Sequence, residues 1–153
     1  MNTLLTIFIV DDNPMDVYFI RWVLDAHELD YQLRIITNGA QALRVLDRLA
    51  QQERLRSPTI VLLDLTLPQI DGKEILRHIK AIPLGSEIHV VVVTSSTNPA
   101  DQHETLALGA DANFVKPYHL QEFMQLGEVV KHVACANASA YTRNHEQVSR
   151  LLP

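Results

Sequence analysis

The 153-residue sequence contains one cysteine and no long apolar run. The single cysteine, Cys135, excludes an internal disulfide framework and is typical of a protein from a reducing compartment. No stretch approaches the roughly 20 apolar residues that a membrane helix needs. The apolar run at residues 4–10 is too short for a signal peptide and lacks a basic leader. These absences predict a cytoplasmic protein without a membrane segment.

A concentrated patch of positive charge is also missing. The formal net charge is −5 at pH 7, and acids and glutamines interrupt the arginine-bearing stretch at residues 48–56. A nucleic-acid partner is therefore not expected. Hydrophobic residues make up 47% of the chain and charged residues 20%, which is sufficient for the core of one globular domain.

What the chain does have is five short apolar runs separated by helical patterns. Because these runs are rich in valine and isoleucine and do not alternate with polar residues, they are typical of strands buried on both faces of a parallel sheet. The predicted strands are residues 6–10, 33–36, 59–63, 88–93 and 113–115. The predicted helices are residues 16–27, 40–55, 72–82, 100–108 and 120–133. The alternation predicts an α/β domain of the (βα)5 type.

Polar side chains follow four of the five predicted strands. They are Asp11 and Asp12 after the first strand, Asp64 after the third, Thr94 after the fourth and Lys116 after the fifth. Ligands in open α/β sheets bind beyond the carboxyl ends of the strands. The sequence therefore predicts that three carboxylates, a hydroxyl and an ammonium group meet at one edge of the sheet.

This set of side chains suits phosphoryl chemistry. Clustered carboxylates repel one another unless a cation neutralises them or their pKa values rise, and all-oxygen ligands suit Mg²⁺. A lysine and a threonine can stabilise the oxygens of a phosphoryl group, and a carboxylate can itself accept that group. Each residue alone has an ordinary explanation, such as a helix cap or a solvated turn. Their occurrence at four strand ends in order favours a site.

Four motifs carry a resemblance to a known family: IVDDN at residues 9–13, LLDLTLPQIDG at 62–72, VVTSS at 92–96 and FVKP at 114–117. They resemble the receiver domain of response regulators in two-component systems. The resemblance spans residues 4–134. It implies a receiver domain over residues 1–134, a doubly wound sheet in the flavodoxin-like order 2-1-3-4-5, and a C-terminal tail over residues 135–153, for which a weak apolar stripe suggests a helix.

The resemblance also implies a metal site and a phosphoacceptor. Asp64 is the implied phosphoacceptor. Asp12, Asp64 and the backbone carbonyl of Thr66 are the implied direct ligands of Mg²⁺, and Asp11 is expected to act mostly through a bound water.

The same resemblance implies a switch. Lys116 is expected to pair with the phosphoryl group, Thr94 to turn its hydroxyl towards it, and the bond between Lys116 and Pro117 to be cis. The family usually has an aromatic residue three positions before the lysine, but this chain has Asn113 there. Phe114 is expected to point to the opposite face of the strand, so the usual coupling of threonine to an aromatic ring is in doubt.

The implied protein signals by changing shape and is not an enzyme. Its implied phosphodonor is a sensor histidine kinase or a histidine phosphotransfer protein. Residues 135–153 are too few for an output domain, which favours a stand-alone receiver. The motif DNPMD at residues 12–16, together with the stretch 47–58, resembles the subgroup that partners bacterial phytochromes.

Several alternatives stay open from the sequence. The protein could be a phosphorelay intermediate, or a pseudo-receiver that binds partners without phosphorylation, for which Asn113 is the only argument. An aspartate-nucleophile phosphatase is disfavoured because Thr66 occupies the position where that class has a second acid. Apolar residues beyond the needs of one helical stripe, among them Tyr18 and Trp22, fit a homodimer surface, a kinase surface or packing under the tail.

Overall fold

The computed structural model describes residues 4–136, which form a five-stranded parallel sheet in the order β2-β1-β3-β4-β5. The strands are β1 (Leu5–Val10), β2 (Tyr31–Ile36), β3 (Thr59–Leu63), β4 (Ile88–Thr94) and β5 (Ala112–Val115). The helices are α1 (Pro14–Ala26), α2 (Gly39–Ala50), α3 (Gly72–Ala81), α4 (Pro99–Ala107), α5 (Leu120–Phe123) and α6 (residues 125–136). The predicted fold class and strand order are confirmed. The predicted tail lies, from residue 137 onward, outside the described residues.

The register of the central strands brings their carboxyl ends level. Val10 lies opposite both Ile36 and Leu63, and Leu63 lies opposite Val92. The ladder continues past the strand ends, because the amide of Asp64 donates to the carbonyl of Val10 at 2.9 Å. The residues that follow β1 and β3 therefore emerge side by side.

Two apolar cores cover the two faces of the sheet. Alternate residues of β1 divide between them, since Ile7 and Ile9 face α1 and α6, whereas Phe8 and Val10 face α2 and α3. The inner strands β3 and β4 are buried along nearly their whole length, as predicted. The prediction of burial on both faces is wrong for β2, whose Arg34 and Ile35 are exposed because this strand forms an edge of the sheet.

Capping residues begin the helices near the carboxyl edge. The side chain of Asn13 accepts the Met15 amide at the start of α1, and Asn98 accepts the Ala100 amide at the start of α4. Helix α2 ends at Ala50, not at residue 55 as predicted. The polar residues 51–54 have no apolar stripe to bury, and Leu55 instead packs into the core beside β3. Within residues 4–136, no helix is long and apolar enough to cross a membrane.

Candidate functional site

The ammonium group of Lys116 is the centre of the polar cluster at the carboxyl edge. Its Nζ donates to Asp11 Oδ2 at 3.0 Å, to Asp64 Oδ2 at 3.1 Å and to Asp16 Oδ2 at 2.7 Å. The side chains of Lys116, Asp11 and Asp64 are 8%, 2% and 7% exposed. The ends of β1, β3 and β5 therefore assemble a nearly buried charge cluster, as the sequence predicts for these three residues.

Asp16 belongs to the cluster although it was not predicted as a site residue. It lies in the first turn of α1, where the cap by Asn13 fixes the start of the helix. The amide of Asn13 in turn donates to Asp11 Oδ1 at 2.8 Å. An acid in the first turn of a helix that directly follows a site-forming strand is the signal that could have identified it, but the same position is common for acids that favour the helix dipole.

Burial and pairing shift the pKa values in this cluster. Burial raises the pKa of Asp11 above its ordinary value, although the Asn13 amide and Lys116 act against this. Burial alone would lower the pKa of Lys116, but its bond to Asp16 and the charges of Asp64 and Asp11 outweigh that effect and raise it. Lys116 therefore remains charged, and one ammonium group serves three carboxylates. The excess negative charge favours binding of a further cation.

The donor set fits a hard divalent cation. Carboxylate oxygens of Asp11, Asp16 and Asp64 all lie within 4.8 Å of one another. Oxygen donors of this kind suit Mg²⁺. Asp12, predicted as a direct ligand, is exposed and is not part of this group. The amide of Thr66 donates to Asp64 Oδ1 at 3.0 Å, and the predicted role of its carbonyl as a ligand stays a prediction.

Gly72 permits the close approach of α3 to the site. A Cβ atom at this position would lie 2.5 Å from the carbonyl oxygen of Asp64 and 2.5 Å from Cα of Leu65. Only glycine fits against this backbone without displacing it. The Asp-Gly pair at residues 71–72 thus supports the backbone that carries Asp64.

Thr94 begins a polar chain that leads away from the site. The Thr94 side chain is buried, and its hydroxyl accepts the amide of Ser96 at 3.1 Å. Ser96 Oγ donates to Asp101 Oδ2 at 2.6 Å, and Lys73 of α3 binds both Asp101 and Glu104. The loop after β4 is thereby connected to α4 and α3.

Asn113 ties β5 to α4. Its Oδ1 accepts the hydroxyl of the buried Thr105 at 2.8 Å, and its Nδ2 donates to the carbonyl of Gln102 at 3.1 Å. Phe114 points to the other face of the sheet, as predicted, where its ring lies 5.8 Å from that of Phe123. A polar clamp therefore occupies the position at which the resemblance leads one to expect an aromatic ring.

The predicted cis bond between Lys116 and Pro117 is wrong. Among the described residues no peptide bond is cis. Both isomers of a bond before proline lie within about 1 kcal/mol of each other, so the sequence alone does not select one.

The surplus apolar residues of α1, Tyr18 and Trp22, are exposed together with Met15.

The sequence is similar to those of several known proteins. The profile of the family described as "Response regulator receiver domain" matches residues 7–128. Response regulator Rcp1 of Synechocystis sp. is 32% identical over 120 residues, which are 78% of this chain and 82% of that protein. Sporulation initiation phosphotransferase F of Bacillus subtilis is 36% identical over 118 residues, which are 76% of this chain and 85% of that protein.

Solved structures show the same fold. The phosphorylated cyanobacterial phytochrome response regulator RcpA superposes with a TM-score of 0.73 at 27% identity, covering 88% of this chain and 95% of that one. The Mn²⁺-bound form of Rcp1 superposes with a TM-score of 0.71 at 30% identity, covering 82% of this chain and 91% of that one.

Proposed function

Because the chain belongs to the response regulator receiver domain family, we propose that Asp64 is the residue on which it accepts a phosphoryl group. The observation that carries this proposal is the position of Lys116, whose ammonium group bonds to both Asp64 and Asp11 at the carboxyl edge of the sheet. A buried carboxylate beside a fixed cation can act as a nucleophile towards phosphorus.

Each residue of the site has its own role in the proposed reaction. One oxygen of Asp64 forms a bond to phosphorus while the bond between phosphorus and the donor breaks, and the donor leaves with that electron pair. Lys116 is placed to pair with the phosphoryl oxygens, and Thr94 provides a hydroxyl at the end of β4. Mg²⁺ would be held by Asp11 and Asp64, whose carboxylate oxygens lie within 4.8 Å of each other, with Asp12 and the carbonyl of Thr66 as the further ligands that the family resemblance implies. The ion would neutralise charge on the phosphoryl oxygens.

The proposed donor is a sensor histidine kinase or a histidine phosphotransfer protein in the cytoplasm. The likeness to RcpA, described as a phytochrome response regulator, supports a bacterial phytochrome kinase as the partner, as does the DNPMD motif. The protein then acts as a response regulator that signals through its receiver domain. Its output follows from charge, since phosphorylation adds about −1.5 to −2 charge at the site and draws Thr94 towards it.

A second candidate role is that of a phosphorelay intermediate. It is favoured by the 36% identity to sporulation initiation phosphotransferase F. In that role the phosphoryl group passes from Asp64 to a histidine of another protein. Transfer of label from the phosphorylated protein to a purified histidine phosphotransfer protein distinguishes the relay from a terminal regulator.

Phosphoryl uptake from acetyl phosphate tests the proposal. We expect intact-mass analysis to show one added phosphoryl group that depends on Mg²⁺ and is absent from Asp64→Asn. Asp71→Asn is the matched control, because Asp71 is the exposed cap of α3 and asparagine also caps helices. Uptake by Asp64→Asn equal to that of the unaltered protein would contradict the proposal, and absence of uptake from every form would favour the pseudo-receiver.

A further inference from the structure

Asp16 makes the shortest of the three contacts to Lys116, at 2.7 Å. It belongs to the acidic group whose oxygens could hold a cation, but the family resemblance assigns it no role. An ammonium group has three hydrogens to donate. All three find a carboxylate here, in Asp11, Asp16 and Asp64. The position of the Lys116 ammonium is therefore fixed from three sides, and one of these sides belongs to α1.

The reaction proposed for Asp64 would change two of these partners. Asp64 loses anionic character when its carboxylate becomes an acyl phosphate, and Asp11 would share its oxygens with Mg²⁺. The contact between Asp16 and Lys116 takes no part in the bond that forms at Asp64. Lysine has a long flexible stem, so an ammonium group that must stay aimed at a reacting centre benefits from a fixed partner.

The backbone places Asp16 firmly enough for such a role. Asn13 caps α1 and also donates its amide to Asp11, so the first turn of the helix is tied to the end of β1. Val17, the next residue, and Ile20, one turn further on, anchor the helix in the core. A favourable interaction with the helix dipole alone needs no contact with Lys116, whereas the observed carboxylate bonds directly to it.

We propose that Asp16 is a positioning residue that holds the ammonium group of Lys116 in place for phosphoryl transfer to Asp64. This inference rests on the proposed function of Asp64. Asp16 itself does not touch the reacting atoms and acts through Lys116. The role extends the site from the sheet edge to the first turn of α1.

The test compares rates of phosphoryl uptake from acetyl phosphate with saturating Mg²⁺. Asp16→Asn is expected to slow uptake about tenfold, since a charge-assisted hydrogen bond to Lys116 is lost. Asp16→Glu is expected to recover part of the rate. Glu122→Gln is the matched control, since it removes the same charge. Glu122 lines a surface cleft that Asp16 and Lys116 also line, but it is not among the three carboxylates that bond to Lys116. Its rate is expected to stay within about twofold of the unaltered protein.

A second readout reports on Lys116 directly and does not require phosphorylation. NMR of the Lys116 side chain at one neutral pH is expected to show faster exchange of the ammonium hydrogens with water in Asp16→Asn than in the unaltered protein, because one hydrogen-bond acceptor is weakened. In Glu122→Gln this exchange rate is expected to be unchanged. A general structural defect in Asp16→Asn would alter signals throughout α1 and the core, which the same spectra reveal.

The outcomes separate the two proposals. If the unaltered protein takes up phosphoryl and Asp16→Asn matches or exceeds its rate, the positioning role is wrong while the function of Asp64 stands. An equal slowing by Glu122→Gln would also overturn the positioning role, because the effect would then be one of general charge. If the unaltered protein takes up no phosphoryl group, the proposed function fails and the positioning role fails with it.

Discussion

Two lysines make the same kind of contact in two regions of this protein. At the carboxyl edge of the sheet, Lys116 bonds to three aspartates that are largely shielded from solvent. Between helices α3 and α4, Lys73 of α3 bonds to Asp101 and Glu104 of α4 at 2.7 and 2.6 Å. The side chains of these two acids are 27% and 45% exposed. The bond lengths are alike, but the surroundings differ.

The difference in burial distinguishes the candidate site from the contacts that hold α4. A buried charge cluster is costly when one partner is removed, because the remaining charges are left unpaired, whereas exposed ion pairs contribute little. The sheet therefore assembles the groups of the candidate site. The α4 joint, formed by the Lys73 contacts and the Asn113 clamp, sets how α4 is held. Asn113, where the sequence departs from the family resemblance, belongs to this joint and not to the site.

Replacing the two lysines gives the largest expected contrast. Lys116→Met is expected to lower the free energy of unfolding by about 3 kcal/mol without Mg²⁺, because three carboxylates lose their cation. It is also expected to slow phosphoryl uptake about 100-fold. Lys73→Met should cause a smaller loss of stability and leave uptake within about threefold. Urea unfolding and uptake from acetyl phosphate measure both effects. Similar stability losses in the two variants would show that burial does not distinguish the regions.

Two glycines that begin helices separate loss of stability from loss of uptake. Gly72→Ala is expected to destabilise the protein by about 2 kcal/mol and to slow phosphoryl uptake, because the new methyl group meets the backbone of Asp64 and Leu65. Gly39→Ala also places a methyl group too close to its neighbour, 2.5 Å from Cβ of Ile70, but the atoms that it meets do not belong to the backbone of Asp64. It should therefore also destabilise the protein, but leave uptake unchanged. Equal effects on uptake would mean that Gly72 does not support the site.

The Asn113 clamp is a weaker feature of the joint. Asn113→Ala removes bonds to Thr105 and Gln102 and is expected to lower the free energy of unfolding by about 1 kcal/mol. A double-mutant cycle with Thr105→Val isolates the contact between the two side chains, with an expected coupling of about 0.5–1 kcal/mol. Phosphoryl uptake is expected to be unaffected. Additive stability losses would show that the two side chains do not act as a clamp.

The smallest expected effect is on the pH dependence of stability, and it concerns Asp11 and Asp111, whose pKa values shift in opposite directions. Burial raises the pKa of Asp11 above 3.8, so its stabilising contribution exists at low pH and is lost as pH rises through the folded-state pKa. Burial also acts to raise the pKa of Asp111, but hydrogen bonds to His89 and the Val90 amide outweigh it and the pKa falls. Asp111 therefore stabilises the fold above pH 3.8, and this contribution is lost as pH falls through the lowered pKa.

Unfolding at a series of pH values without Mg²⁺ tests this difference. At neutral pH, Asp11→Asn is expected to increase the free energy of unfolding, and the gain should shrink as the pH falls towards the pKa of Asp11. Asp111→Asn is expected to decrease it near neutrality, with a loss that shrinks at strongly acidic pH. Changes of the same sign in both variants would contradict the opposed shifts.

The parts of the fold that could be predicted from sequence are those that depend on local patterns. The valine-rich runs indicate buried strands, and the polar residues directly after them indicate a site at one edge, so Asp11, Asp64 and Lys116 meet as expected. The exposed face of β2 could not be read in this way, since its edge position depends on strand order. The end of α2 at Ala50 likewise depends on where Leu55 finds space in the core.

The contacts of Asp16 and of the Asn113 clamp also could not be predicted from local sequence patterns, for a related reason. Asp16 reaches the site because α1 turns back over the end of β1, and its carboxylate meets a lysine 100 residues away in the chain. Asn113 was recognised as a departure from the family, but its partners on α4 follow from packing. Side-chain contacts between separate elements require the folded structure.

Locating the phosphoryl group on the chain tests the central claim most directly. After reaction with acetyl phosphate and Mg²⁺, borohydride reduction converts an aspartyl phosphate into a stable product that peptide mass analysis can place. We predict the modification at Asp64 alone. Modification at Asp11, Asp12 or another residue, with Asp64 unchanged, would contradict the assignment of Asp64 as the phosphoacceptor.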